Sequence, residues 1–156
     1  MIKQPTWITG AYKSTEVHWA KSQAKIMEML GQVGIDQIRF TNMPDRFVLE
    51  FMAQIDNGIP RAIRIISPLK TKVTDDPKIR NKELNTVHRI LLAHLKAKFI
   101  AIGTGLAEFE SEFMSHLVVT DKNGQSSTMG EQVLPQYRKN LESGTSKPFQ
   151  LGDGSN

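Results

Sequence analysis

"RFVLEFMAQIDNGIPRAIRIIS", residues 46–67, decides the fold class, because its apolar side chains recur at every second position. Phe47, Leu49, Phe51, Ala53 and Ile55 step by two along the first half, and Ala62, Arg64 and Ile66 alternate with Ile63 and Ile65 along the second. Successive side chains of a strand point to opposite faces, so this alternation predicts two strands with one covered side. Between them "DNGIP" holds Asn57-Gly58, a pair suited to a tight hairpin in which both central residues take positive φ. Upstream, "IDQIRF" is a further short extended run and "NMPD" a turn. A three-stranded antiparallel meander is expected over about residues 35–67.

On both sides of the meander the period changes. "AKSQAKIMEMLGQVG" carries Ala20, Ala24, Met27, Leu30 and Val33 at steps of three and four, the spacing of an amphipathic helix, and Gly34 stops it. The lead-in before it is read as irregular, with "YKSTEVHW" extended. After the polar link "SPLKTKVTDDPK", Asp76 followed by Pro77 reads as an N-cap with proline at the first helical position, where its missing N–H costs nothing. The helix expected there runs to Gly103, with Leu84, Val87, Leu91, Leu95, Phe99 and Ile102 as its apolar stripe, widened by Ile90 and Ile100 to cover a sheet face. "GTG" at 103–105 is a helix C-cap rather than a phosphate cradle, since no strand precedes it. "LAEFESEFMSHL" predicts a short helix and "VVTDKNGQSS" a turn or small hairpin. Thr128 and Glu131 are spaced as a capping box before a last helix that groups Val133, Tyr137 and Leu141 and that Pro135 interrupts.

The expected architecture is α+β: a three-stranded antiparallel meander packed against a long helix, in αβββα order, with additional C-terminal helices. One domain spans residues 1–143, and the Gly/Ser-rich 144–156 is a flexible tail.

The absence of cysteine excludes disulfides, thiolate catalysis and Cys-based metal sites. No window has the apolar length of a membrane span and the N-terminus has no secretory pattern, so a cytoplasmic protein is expected. The net charge of +4 is unevenly distributed, with ten basic and three acidic residues between 61 and 98 against four and seven from 99 onward. Lys82, Arg89 and Lys96 recur every seven residues and so share one helical face, while Lys70, Lys72, Lys78 and Arg80 lie at or before the helix start. Such a row could track phosphates by displacing counterions, or be only the solvated side of an amphipathic helix. Aromatic residues for base stacking are missing from this stretch. Arg61 and Arg64 extend the patch if the third strand lies at a sheet edge.

Other chemistry has weaker footing. Pro44, Asp45 and Glu50 suggest a degenerate restriction-endonuclease-like nuclease, but Met52 stands where the lysine that polarises water should be. Glu108, Glu112 and His116 share a helical face that would suit a metal, though a hydrated surface is the plainer reading, and no metal or cofactor is expected. His88 and His94 point in different directions, and His18 stands alone. Trp7, Trp19 and most methionines read as core or interface filler, with exposure of Met29 or Met43 pointing to a protein partner.

The run "VHRILLAHLKAKFIAIGTGLAEFESEFMSHLVV", with "TMGEQVLPQY" and "KSQAKIMEMLGQVG", resembles an uncharacterised family of small proteins encoded by bacteriophages and prophages. Arg89, Ile90, Ala97, Gly105, Phe113, Leu134, Pro135 and Gln136 carry the resemblance, which covers most of residues 12–142. It implies a phage setting and no activity. The leading expectation is a non-enzymatic nucleic-acid-binding protein contacting phosphates through Lys70, Lys72, Lys78, Arg80, Lys82, Arg89 and Lys96. The alternative is an adaptor or anti-host-defence inhibitor that binds a host or phage protein, one form being a homodimer that uses the open sheet face or the acidic helix at 108–112.

Overall fold

A computed structural model describes residues 2–55 and 58–145. The meander is present as β1 (Ile38–Asn42), β2 (Arg46–Ala53) and β3 (Arg61–Pro68), in that order and antiparallel throughout. In register, Arg39, Glu50 and Arg64 lie abreast on one face, while Ile38, Phe51 and Ile63 lie abreast on the other. Met43 N–H donates to the Arg46 carbonyl and closes the first turn. The Asn57-Gly58 hairpin expectation falls at residue 57, outside the described residues, as does the tail from 146 onward.

The even step of β2 explains its burial. Phe47, Leu49, Phe51 and Ala53 are all buried and, with Ile63 and Ile65 of β3, form the sheet half of the core. Two helices cover this face: α2 (Trp19–Gln32) contributes Ile26 and Leu30, and α3 (Pro77–Gly103) contributes Leu91 and Leu95. At roughly 1.5–3 kcal/mol per fully buried large aliphatic or aromatic side chain, these residues supply most of the folding drive.

Local chemistry set the ends of α3 as expected. The Asp76 carboxylate accepts from Lys78 N–H with Pro77 in the first turn, and Gly105 adopts φ 77° beyond the last turn. The face of α2 differs from the expected one. Ser22, Ile26 and Leu30 are buried, while Met27 and Val33 are half exposed. Apolar side chains occur on both sides of this helix, and the larger aliphatics Ile26 and Leu30 gain more by facing the sheet than the alanines do. Ile90 and Ile100 are likewise exposed rather than part of the α3 stripe. The lead-in contains one helical turn, α1 (Thr6–Thr9), and residues 12–18 form a turn and irregular chain rather than a strand before α2 begins at Trp19. Trp7 is exposed, not core.

After α3 come α4 (Phe109–Phe113), a 3-10 turn (Met114–His116), the small hairpin β4 (Val118–Thr120) and β5 (Ser126–Thr128), and α5 (Met129–Glu142). Phe113 is fully buried, edge-on to Phe51 and beside Phe99 and Phe109. The capping box of Thr128 and Glu131 is formed in both directions. Helix α5 continues through Pro135, but none of its residues is buried, and Val133, Leu134 and Tyr137 are exposed.

Candidate nucleic-acid interface

Five of the seven expected phosphate contacts, Lys70, Lys72, Lys78, Lys82 and Lys96, are exposed. Arg80 and Arg89 are half-buried. Among the described residues none of the seven forms an ion pair.

Arg80 has a structural task. Its guanidinium donates to the carbonyls of Met43, Pro44 and Thr71, each at 3.2 Å, stapling the β1–β2 turn to the loop that carries Lys70 and Lys72. Glu83 braces the same loop by accepting from the N–H groups of Lys70 at 2.6 Å and Thr71 at 2.9 Å. Burial works to raise the Glu83 pKa, but the Thr71 hydroxyl, the two N–H donors and the Arg80 charge outweigh it and hold the carboxyl below its ordinary value. Asp75 accepts from Lys72 N–H at 2.7 Å. Two carboxylates thus fix the loop's backbone and a third, Asp76, caps α3 at Lys78 N–H, while the side chains of Lys70, Lys72 and Lys78 are exposed.

Farther along α3 the surroundings change. Residues 10–15 turn across the helix, with the Thr86 hydroxyl donating to the Tyr12 carbonyl at 3.3 Å and Trp19 N–H donating to the Asn85 side chain at 2.8 Å. The Arg89 guanidinium lies 5.9 Å from the Tyr12 ring centre, and its buried Nε has no protein hydrogen-bond partner. Beyond it an open groove of about 540 Å³ runs between α2 and α3, rimmed by Tyr12, Lys25, Arg89 and Lys96 and floored by Met29 and Leu92. Sequence reasoning missed Tyr12 and Lys25, since nothing local marks a tyrosine as the neighbour of an arginine so far downstream.

The other candidates resolve differently. Arg61 and Arg64, expected to extend the patch, are paired instead: Arg61 with Glu110 at 2.5 Å and Arg64 with Glu50 at 2.8 Å. Glu50 also accepts from Arg39. Partial burial works to raise the Glu50 pKa, and the hydrogen bonds from Arg64 and Arg39 more than reverse it. Glu50 is thus the centre of a cross-strand arginine clamp, on the face opposite Phe47, Leu49 and Phe51. Asp45 lies 3.3 Å from Arg46 and not with Glu50.

The expected shared face of Glu108, Glu112 and His116 does not form, because α4 gives way to a 3-10 turn after Phe113. Glu112 instead pairs with Lys98 at 3.1 Å, and His116 packs edge-on against His94. Burial, then the Lys98 charge, lowers the pKa of both histidines. His88 is fully buried, 4.1 Å from the Phe47 ring, with Leu84 carbonyl at 2.7 Å from Nδ1 and the Gln23 amide at 3.1 Å from Nε2; burial lowers its pKa as well. His18 caps α2 by accepting from Ala20 N–H. Among the described residues no group of three or more acidic or histidine side chains could hold a metal, and no helix is long and apolar enough to cross a membrane. Compared with family models, with curated proteins and with solved structures, the chain gives no match in any of the three, which leaves the site's own chemistry as the guide to its use.

Proposed function

We propose that this protein binds nucleic acid without cleaving it, through phosphate contacts from Lys70, Lys72, Lys78, Lys82, Arg89 and Lys96, with Arg80 holding the loop that carries the first two. The observation that supports the reading is a contrast in partners. Arg39, Arg61, Arg64 and Lys98 meet carboxylates, whereas the α3 row and its preceding loop meet none among the described residues. Cations left without protein partners can displace counterions from a phosphate backbone, and each such contact steepens the salt dependence of binding. With the resemblance drawn from the sequence, the setting we propose is a phage or prophage gene product acting on DNA or RNA in the host cytoplasm. Fluorescence anisotropy with labelled DNA and RNA across a salt series tests this. Affinity falling steeply with salt is expected, and no binding to any oligonucleotide at low salt removes the reading.

A second reading, a protein-binding adaptor or inhibitor, draws on α5, whose Val133, Leu134 and Tyr137 stay exposed. Its surface is not the one expected from sequence, because the carboxylates of Glu110 and Glu112 are engaged by Arg61 and Lys98, and the open sheet face carries the arginine clamp. Light scattering over a concentration series tests the homodimer form. A monomer at all concentrations excludes it.

A further inference from the structure

Resting on the phosphate-binding reading, we infer that the groove between α2 and α3 takes a single strand of nucleic acid, with Tyr12 stacking on a base while Lys25, Arg89 and Lys96 hold phosphates. Four observations converge on this groove. Its shape is concave, about 540 Å³ between two helices. A duplex offers convex edges of phosphate and grooves that accept a protruding helix, whereas a cleft accepts bases that have left the stack. Its lining is mixed, with the apolar Met29 and Leu92 beside three cations, Lys25, Arg89 and Lys96, that outnumber its single carboxylate, Glu28. Apolar and aromatic surface for base faces beside cations for the backbone is the combination that single strands require.

The third observation is the backbone of Tyr12, which has φ 56° and is the one residue other than glycine with positive φ among the described residues. For a bulky side chain that conformation is strained. The Tyr12 carbonyl accepts from Thr15 N–H at 3.0 Å, with the Thr86 hydroxyl nearby at 3.3 Å, and the ring lies over Arg89, 43% exposed. The fourth is Arg89 itself, which lines the groove and forms no ion pair among the described residues. The fold therefore provides, from the N-terminal segment, the stacking group that the basic stretch of α3 lacks in sequence. Along α3 the row from Lys82 to Lys96 extends about 21 Å, so the groove and its approach span several nucleotides rather than one.

The test uses the full chain in low salt with labelled single-stranded DNA and RNA of about 16 nucleotides, the matching duplex, and a mononucleotide competitor. Either single strand should bind more tightly than the duplex. Tyr12→Ala and Lys25→Ala should each weaken single-strand binding by about tenfold, Tyr12→Phe should keep it, and duplex binding should stay within about twofold. Lys70→Ala with Lys72→Ala should weaken both. Thermal melts of every variant separate lost binding from lost folding, and Lys25, at the surface, gives a readout that does not depend on the strained turn. Tighter duplex binding, or unchanged affinity in well-folded Tyr12→Ala and Lys25→Ala, overturns the groove and leaves the phosphate face standing. Displacement by the mononucleotide as readily as by unlabelled strand overturns the strand assignment. No nucleic acid bound at all overturns both readings.

Discussion

The open face of the sheet and the outer face of α3 are both rich in cations, and the two are built differently. On the open face of the sheet, Arg39 and Arg64 close on Glu50 from the neighbouring strands, and elsewhere Arg61 of β3 and Lys98 of α3 close on Glu110 and Glu112 of α4. These ion pairs join elements far apart in sequence, so their charges serve the architecture. On the Lys82–Lys96 face of α3 and in the loop before it the lysines are exposed, and Glu83, Asp75 and Asp76 near the loop accept from backbone N–H groups. A count of basic residues treats both regions alike. Only their partners distinguish a cation that holds the fold from one available to an external anion.

Both faces depend on the packed layer between them, so the largest effect comes from breaking that layer. Phe47→Ala removes a fully buried ring that touches His88 and Phe40, and should cost about 3–5 kcal/mol of stability in urea denaturation. A cost below about 1 kcal/mol would show that β2 is not the centre of the core.

The comparison is tested directly by removing cations from one side only. Replacing Lys82, Arg89 and Lys96 together by alanine should weaken oligonucleotide binding about a hundredfold and flatten the slope of log affinity against log salt by about 2–3, with stability little changed. Arg39→Ala, on the paired side, should leave affinity within about twofold. Equal losses from the two would erase the distinction.

A smaller effect sharpens it. Glu50→Gln keeps the size of the side chain but leaves Arg64, whose side chain is 23% exposed, without its counter-charge, and should destabilise by about 1–2 kcal/mol. Oligonucleotide affinity should not rise, because the freed arginines lie away from the α3 row.

The smallest effect is acid sensitivity. Burial depresses the pKa of His88 in the folded state, so between that pKa and the ordinary value of 6.5 the unfolded chain binds more protons. Stability should therefore be flat above about pH 6.5 and decline as pH falls below it, with a further decline below the ordinary carboxylate value of 4.5 as Glu50 and Glu83 protonate. His88→Asn should shrink the first step without abolishing it, since His94 and His116 are lowered in the same direction, and melting temperatures measured from about pH 7.5 to 5 will show whether it does.

Where one stretch of chain held the cause, the sequence was legible. The strands followed from alternation, the start of α3 from Asp76 and Pro77, and the start of α5 from the Thr128–Glu131 box, because each is fixed by neighbours within a few positions. The buried side of α2 was misread because its apolar residues ring the helix, and the choice between sides is made by the sheet it meets. The candidate site divides the same way: the Lys82–Arg89–Lys96 alignment is a property of helical pitch and was visible beforehand. The stacking partner was not.

By itself, then, the amino-acid order determined the elements, their limits and the one-sided concentration of positive charge, all consequences of backbone geometry and short-range hydrogen bonding. The tertiary structure alone decided which cations are neutralised, which carbonyls Arg80 ties together, and that Tyr12 comes to rest over Arg89 at the mouth of a groove. Those outcomes depend on long-range packing, where burial of Phe47, Leu49, Leu91 and Leu95 with Ile26 and Leu30 fixes α2 and α3 against the sheet and only then sets which distant side chains can touch.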